Sequence, residues 1–288
     1  MKILMVHKTA KGGVSIHVKE VSKELRKKGF KVEEITRNED LGLTSFFSSY
    51  FKLRKLFIKW SKKYDIIHTH DWSITYIALR SGIKNVIATF HAFPTNFIAK
   101  YFENYCINSL GNRAIVVSPS MKRKYKRSTY IPNGVNLTFF KPLKEVERKN
   151  LLVGIAQKYN RNKILRIIKN TGLNWISTEG KLPFEKLPEF YSTIGIFISI
   201  PYIQAGFNMV WLEAMACEVP YIIGTNVGIG EILPIYKISK FEELKNILLK
   251  IRGGKLQPLK NQRKWIIKNK LTWKNCVRNL VKVYEKII

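Results

Sequence analysis

Five histidines, a glycine pair and one helical carboxylate are the residues whose types and spacing could do chemistry in this chain. His7, His17, His68, His70 and His91 all fall in its N-terminal part, and three of them stand at the ends of apolar runs, in His68-Thr69-His70-Asp71 and Thr89-Phe90-His91. A histidine in such a place can donate to developing charge or to a sugar hydroxyl, and it can equally be structural. His68, His70 and His91 could be read as zinc ligands, but no helical HExxH and no cysteine pair accompanies them, so no metal is expected. Lys11-Gly12-Gly13 follows the first apolar run. A glycine pair lets backbone approach a phosphate or a sugar closely, because no Cβ intervenes. It lacks the spacing of a nicotinamide-binding GxGxxG, and an ordinary turn is the other reading.

The second cluster runs Gly206-Phe207-Asn208-Met209-Val210-Trp211-Leu212-Glu213-Ala214-Met215-Ala216. It reads as a glycine turn opening a helix, which offers free N–H groups and a positive dipole end to a phosphate. Glu213 is the single carboxylate inside that helix.

The elements that must hold these residues alternate along the chain. Ile3 to Val6 reads as a buried strand, and Val14, Val18, Val21 and Leu25 as the apolar stripe of a helix that stops at Gly29. Strands follow at Lys31 to Ile35, Asp65 to Thr69, Val86 to Phe90, Ala114 to Val117 and Tyr130 to Ile131. A second alternation places strands at Leu151 to Ile155, Trp175 to Ser177, Ile196 to Ile200 and Tyr221 to Ile223. Its helices fall near Lys163 to Lys169, Lys186 to Tyr191, Asn208 to Ala216 and Phe241 to Lys250. The pattern is that of parallel sheets with crossover helices. The charged segment Lys141 to Asn150 reads as the connection, giving domains at 1–143 and 144–270. Trp273, Val277, Leu280, Tyr284 and Ile287 predict a terminal helix over about 271–288 that packs back on the first domain. Ligands of such sheets bind beyond the carboxyl ends of the strands, here in a cleft between the domains.

The chain has 288 residues, with 51 Lys and Arg against 20 Asp and Glu, a net charge of +31 that favours anionic partners. Cys106, Cys217 and Cys276 are odd in number and far apart, which suggests neither a disulfide framework nor a zinc cluster and fits a reducing cytoplasm. No apolar run approaches the ~20 residues of a membrane span.

Taken in order, these residues resemble the family 4 retaining glycosyltransferases of the GT-B fold. The N-terminal half carries the likeness in Lys11-Gly12-Gly13-Val14 with His17-Val18, Asp65 to Trp72, Thr89-Phe90-His91, and Ile131-Pro132-Asn133-Gly134-Val135-Asn136. The C-terminal half carries it in Gly206-Phe207, Leu212 to Ala216, Val219-Pro220, Gly228 and Glu231-Ile232. The resemblance implies two Rossmann-like domains facing a cleft and transfer of a sugar from a nucleotide-diphosphate-sugar with retained anomeric configuration. It implies no required cofactor or metal. By similarity, Glu213 holds the ribose hydroxyls, Gly13 lies by the diphosphate and donor sugar, and His91 donates to the sugar or stabilises the transition state. Gly206, Phe207, Asn208 and Met209 bind the nucleotide, and Gly12, His70, Asp71 and Asn133 lie on the acceptor side.

The departures are specific. The family usually carries a second glutamate eight positions before the one matching Glu213, and Ala205 stands there, beside Gln204. Gln204 can hydrogen-bond a sugar but carries no charge. Where the family places an arginine after the first glycine of domain two, this chain has Gly154-Ile155, and Lys158, Arg161 or Lys163 is left to supply the cation. A catalytically impaired sugar-nucleotide-binding protein is therefore the alternative.

Phe46, Tyr50, Leu53, Phe57, Trp60 and Tyr64 recur at spacings of four and three among lysines. That stripe is either core-facing or a surface for an anionic membrane, the second fitting a lipid-linked acceptor and a peripheral position on the inner membrane face. Lys122 to Arg127 reads as a solvated turn or a lipid-phosphate contact. Nucleic acid, the other anionic partner, finds no helix-turn-helix, zinc finger or RNP-like strand.

Overall fold

A computed structural model describes residues 1–8, 12–36, 43–156, 159–178 and 181–287, with side chains of the helix that opens at 43 described from 50 onward. Lys11, Phe46 and Lys158, named above, have side chains outside the described set. The chain divides into two compact units, Met1–Asn133 with Trp273–Ile288, and Gly134–Thr272.

The first unit begins β1 (Lys2–His7), α1 (Gly13–Lys27), β2 (Lys31–Thr36), α2 (Leu43–Ser61), β3 (Ile66–Thr69) and α3 (Trp72–Arg80). It continues β4 (Val86–Phe90), α4 (Phe97–Leu110), β5 (Ala114–Val116), α5 (Pro119–Lys124) and β6 (Thr129–Tyr130). The strands are all parallel in the order β2-β1-β3-β4-β5-β6. Ile3 to Val6, Ile66 to Thr69 and Val86 to Phe90 are buried without alternation, as helices on both sheet faces require. In α1, Val18, Val21 and Leu25 are buried, and the chain turns at Gly29, whose φ of 85° suits a residue without Cβ.

The second unit comprises β7 (Lys149–Ile155), α6 (Arg161–Lys169), β8 (Trp175–Ser177), α7 (Leu187–Thr193), β9 (Ile194–Ile198) and α8 (Met209–Ala216). Then come β10 (Tyr221–Thr225), β11 (Tyr236–Ile238), α9 (Phe241–Arg252) and α10 (Gln262–Lys268). This sheet is also parallel, ordered β11-β10-β9-β7-β8. One face packs on a cluster containing Tyr191, Trp211, Leu212 and Ile266, the other on Ile164, Ile168, Leu244 and Leu248. The last helix, α11 (Trp273–Tyr284), belongs to the first unit and packs on α1 through a stripe including Val277 and Leu280.

Two readings of the sequence change and one left open is decided. The units divide at Asn133, ten residues ahead of the expected boundary at 143, and again after Thr272. Arg148 explains why that segment is part of the second unit: its guanidinium donates to the carbonyls of Tyr191, Ile194 and Cys217. The aromatic stripe of α2 faces inward, with Leu53, Phe57 and Tyr64 at most 5% exposed, because the helix covers the sheet with its most apolar face. Among the described residues of α2, the exposed large apolar ones are Phe51, Leu56 and Ile58. The short elements β11 and α10, three and seven residues long, give too few periods to be read from sequence.

Candidate active site

The first sheet reverses its winding between β1 and β3, so a ligand crevice is expected beyond the carboxyl ends of those strands. Four histidines meet there. His7 closes β1 and pairs through Nε2 with Thr36 Oγ1 at 3.1 Å. His70 follows β3, His91 follows β4, and His17 projects from α1 with ring centroids 5.3 Å from His70 and 4.7 Å from His91. Gly12 supports the approach of α1: its φ is 90°, and its carbonyl accepts the first helical hydrogen bond, from Ile16. Gly13 is the first residue of that helix.

His17 Nδ1 donates to Asn133 Oδ1 at 2.8 Å, since an amide oxygen can only accept. The unprotonated Nε2 of His17 is buried and has no hydrogen-bond partner among the described residues, and neither has Nε2 of His70. His70 Nδ1 lies 3.3 Å from His91 Nε2. Burial, reinforced by mutual repulsion, lowers the pKa of His17 to about 4 and those of His70 and His91 well below the usual imidazole value. The cluster is therefore neutral at pH 7, with donors and lone pairs set by hydrogen bonds.

His68 stands apart in role. It stacks on His70 at 4.3 Å and is saturated by Tyr284 Oη at 2.7 Å and Thr89 Oγ1 at 2.8 Å, which makes it a buried prop beneath the cluster. The histidines whose ring nitrogens converge are thus His17, His70 and His91, rather than the His68, His70 and His91 of the sequence, because both nitrogens of His68 are taken. One ring nitrogen from each lies within 4.8 Å of those of the other two. Tetrahedral ligands at ~2.0–2.1 Å from zinc stand roughly 3.4 Å apart, close to the 3.3 Å between His70 Nδ1 and His91 Nε2, so this trio, unlike the one read from sequence, could hold a metal ion.

Asp71 caps α3, accepting from the Ser73 N–H at 2.7 Å and from the Ser73 hydroxyl. Beside it opens a cavity of about 240 Å³ whose lining includes His91, Asp71, Trp72, Phe93 and Glu103. Sequence reasoning missed Glu103. It interrupts the buried face of α4 formed by Ala99, Cys106, Ile107 and Leu110, and an acid at a core position of a helical stripe was the available signal. Tyr125 Oη donates to its Oε1 at 2.6 Å. Burial raises its pKa to about 7, opposed by Tyr125 and Lys124 and supported by Asp71.

In the second sheet the winding reverses between β7 and β9, and the chain leaving β9 leads to α8. The helix opens at Met209 without a side-chain cap. Asn208 instead donates from Nδ2 to Ser199 Oγ at 2.9 Å, while Trp211 Nε1 donates to the Ser199 carbonyl at 3.1 Å. The turn before α8 is held from behind by Ile229, whose N–H donates to the Gly206 carbonyl. Gly228 makes that approach feasible: with φ 57°, a Cβ there would stand 2.3 Å from the Gly206 oxygen. Ala205 and Gly206 are buried, and Phe207, Met209 and Gln204 half-buried.

Glu213 is only 4% exposed, and its Oε2 accepts from Tyr191 Oη at 2.9 Å. Burial lifts its pKa to about 7, partly offset by that hydrogen bond. At the far end of α8, Arg263 donates to the Ala216 carbonyl at 2.6 Å and to Phe140 and Leu137. Of the candidate cations, Arg161 opens α6, and Lys163 places its ammonium 4.1 Å from the Phe241 ring centroid, in the helix layer on the sheet face opposite α8. Lys122 is absorbed locally, donating to the carbonyls of Lys126 and Ser128, so the basic run is the last turn of α5 and the turn that follows it.

The Glycosyltransferase Family 4 profile matches residues 11–139, and the Glycosyl transferases group 1 profile matches residues 135–235. An uncharacterised glycosyltransferase of Methanocaldococcus jannaschii is 24% identical, over 100% of this chain and 99% of its own length. Among solved structures, α,α-trehalose 6-phosphate synthase of Burkholderia multivorans superimposes with a TM-score of 0.71 at 9% identity, covering 99% of this chain and 98% of that one. The UDP-forming α,α-trehalose-phosphate synthase of Burkholderia xenovorans, solved with glucose-6-phosphate, gives 0.68 at 10% identity, covering 99% and 100%. Two parallel-sheet α/β units with these neighbours define the GT-B fold. The chain belongs to the family 4 glycosyltransferases and is a glycosyltransferase.

Proposed function

We propose that the protein transfers a sugar from a nucleotide-diphosphate-sugar to a hydroxyl-bearing acceptor, with retention at the anomeric carbon and without a required metal. The observation that carries this reading is Glu213: a buried carboxyl, oriented by Tyr191, on a helix that follows the switch point of its sheet. Glu213 accepts from the ribose hydroxyls, and the uncapped N–H groups at the start of α8 meet the diphosphate. Neutral His91 donates to the transferred sugar, and no carboxylate nucleophile is called for. Incubation with a panel of uridine, guanosine and adenosine diphosphate sugars tests the reading. Release of one nucleotide, with NMR assignment of the product anomer, is expected; no release and no binding of any donor would overturn it.

A lipid-linked acceptor at an anionic membrane fits the exposed residues of the first unit. Phe51, Leu56 and Ile58 of α2 stand among Lys52, Arg54, Lys55 and Lys59, and Phe97, Ile98 and Tyr101 of α4 beside Lys100. No helix among the described residues is long and apolar enough to cross a membrane. Sedimentation with acidic but not neutral liposomes is the expected result. Ala205, buried where the family carries a sugar-facing glutamate, favours a second reading as a donor-binding protein that has lost transfer. In that case substitution of His91 would leave biological function intact.

A further inference from the structure

The cavity beside His91 has a charge opposite in kind to the chain around it. The protein carries 51 Lys and Arg against 20 Asp and Glu, yet the described residues lining this cavity include two carboxyl groups, Asp71 and Glu103, and no Lys or Arg. A larger cavity of about 690 Å³ shows the contrast. It lies by the residues that precede β4 and β5, at the amino ends of the same sheet, and its described lining includes Lys84, Arg113, Lys282 and Lys286 and no Asp or Glu. The cation nearest Glu103 in effect, Lys124, sits over the rings of Phe93 and Tyr125 and does not line the smaller cavity.

We propose that this carboxyl-lined cavity is the acceptor pocket, that it takes one uncharged sugar or polyol ring, and that Glu103 holds an acceptor hydroxyl. The proposal rests on the transferase reading above and adds the acceptor's chemistry to it. At about 240 Å³ the cavity is below the ~300–1,000 Å³ of clefts for larger ligands, so it fits a single ring. The Trp72 and Phe93 rings offer apolar surface to the C–H face of a sugar. Glu103 has Oε1 occupied by Tyr125, which fixes the carboxyl while Oε2 makes no hydrogen bond among the described residues. A phosphate here would meet two carboxyl groups and a cluster of neutral imidazoles. Burying an unpaired anion in such a place is costly.

The test uses the full chain and saturation-transfer NMR with two kinds of probe: the methyl glycosides of glucose, mannose, galactose and N-acetylglucosamine, and glucose 6-phosphate. At least one glycoside is expected to bind, more tightly than glucose 6-phosphate. E103Q, which keeps an oxygen for Tyr125 but removes the charge, should weaken that glycoside about tenfold, the loss of one hydrogen bond to a charged group. E103K should reverse the order in favour of glucose 6-phosphate. Thermal melting of each variant confirms folding, and nucleotide-diphosphate affinity serves as a separate readout. Binding of none of the glycosides, preference of the native protein for glucose 6-phosphate, or unchanged glycoside affinity in a folded E103Q each overturns the proposal. Loss of the donor reading would show in the nucleotide measurement instead.

Discussion

The carboxyl ends of the two sheets solve one problem in opposite ways. In the first unit, bases are kept uncharged: His17, His70 and His91 are buried together and their proton affinity drops. In the second, an acid is made easier to protonate: Glu213 is buried with one tyrosine partner and titrates near neutrality. Both sites are low in charge although the chain is at +31. The excess lysine and arginine therefore serve the surface, while the chemistry is left to hydrogen bonds whose direction is set by burial.

His91→Ala strikes the first site hardest. If His91 donates in the transition state, turnover should fall by ~10²–10⁴ while nucleotide-diphosphate affinity, read by calorimetry, stays near native. Glu213→Gln keeps the acceptor for Tyr191 but loses the charge, so the same calorimetry should show a loss of ~10–100-fold. The two defects should not exchange, and an equal effect of both variants on nucleotide affinity would erase the distinction drawn above. Tyr191→Phe should have a smaller effect. Removing a hydrogen bond that lowers the Glu213 pKa raises it further, so affinity at pH 7 should drop severalfold and recover toward pH 8.

The pH dependence of stability has opposite signs for the buried histidines and the buried acids. For His17 and His68 the folded pKa values, about 4 and about 3, lie below the unfolded value of 6.5. Between those limits the unfolded chain binds more protons, so this contribution is full above 6.5 and is lost as pH falls. Glu213 and Glu103 are raised to about 7 from 4.5, so the folded state holds the extra proton in that interval and their contribution declines as pH rises from 4.5 to 7. Four depressed histidines, His17, His68, His70 and His91, outnumber the three raised acids, Glu20, Glu103 and Glu213. Tm should therefore fall between pH 7 and 5. In E103Q, which lacks one opposing acid, the fall should be slightly steeper.

Much of the fold was legible because parallel strands buried on both faces read as short apolar runs, and ten strands were placed close to where they lie. Glu213 was legible because a lone carboxylate in an apolar helix after a glycine turn has few structural uses. Glu103 has the same character, but no glycine turn or motif drew attention to α4. Periodicity could not choose between core and membrane for the α2 stripe, since both want one continuous apolar face; burial of Phe57 and Leu53 decided it.

Sequence alone determined which residue types end the strands: histidines in the first sheet, a glycine turn and Glu213 in the second. Only tertiary structure decided what those groups are. His17 joins His70 and His91 while His68 is locked by Tyr284, a residue 216 positions away. Glu213 meets Tyr191 from the preceding crossover helix, and Glu103 meets Tyr125 and a cavity. Proton affinity and hydrogen-bond direction depend on solvent exclusion and on neighbours distant in the chain, and linear order does not encode either until the sheets are assembled.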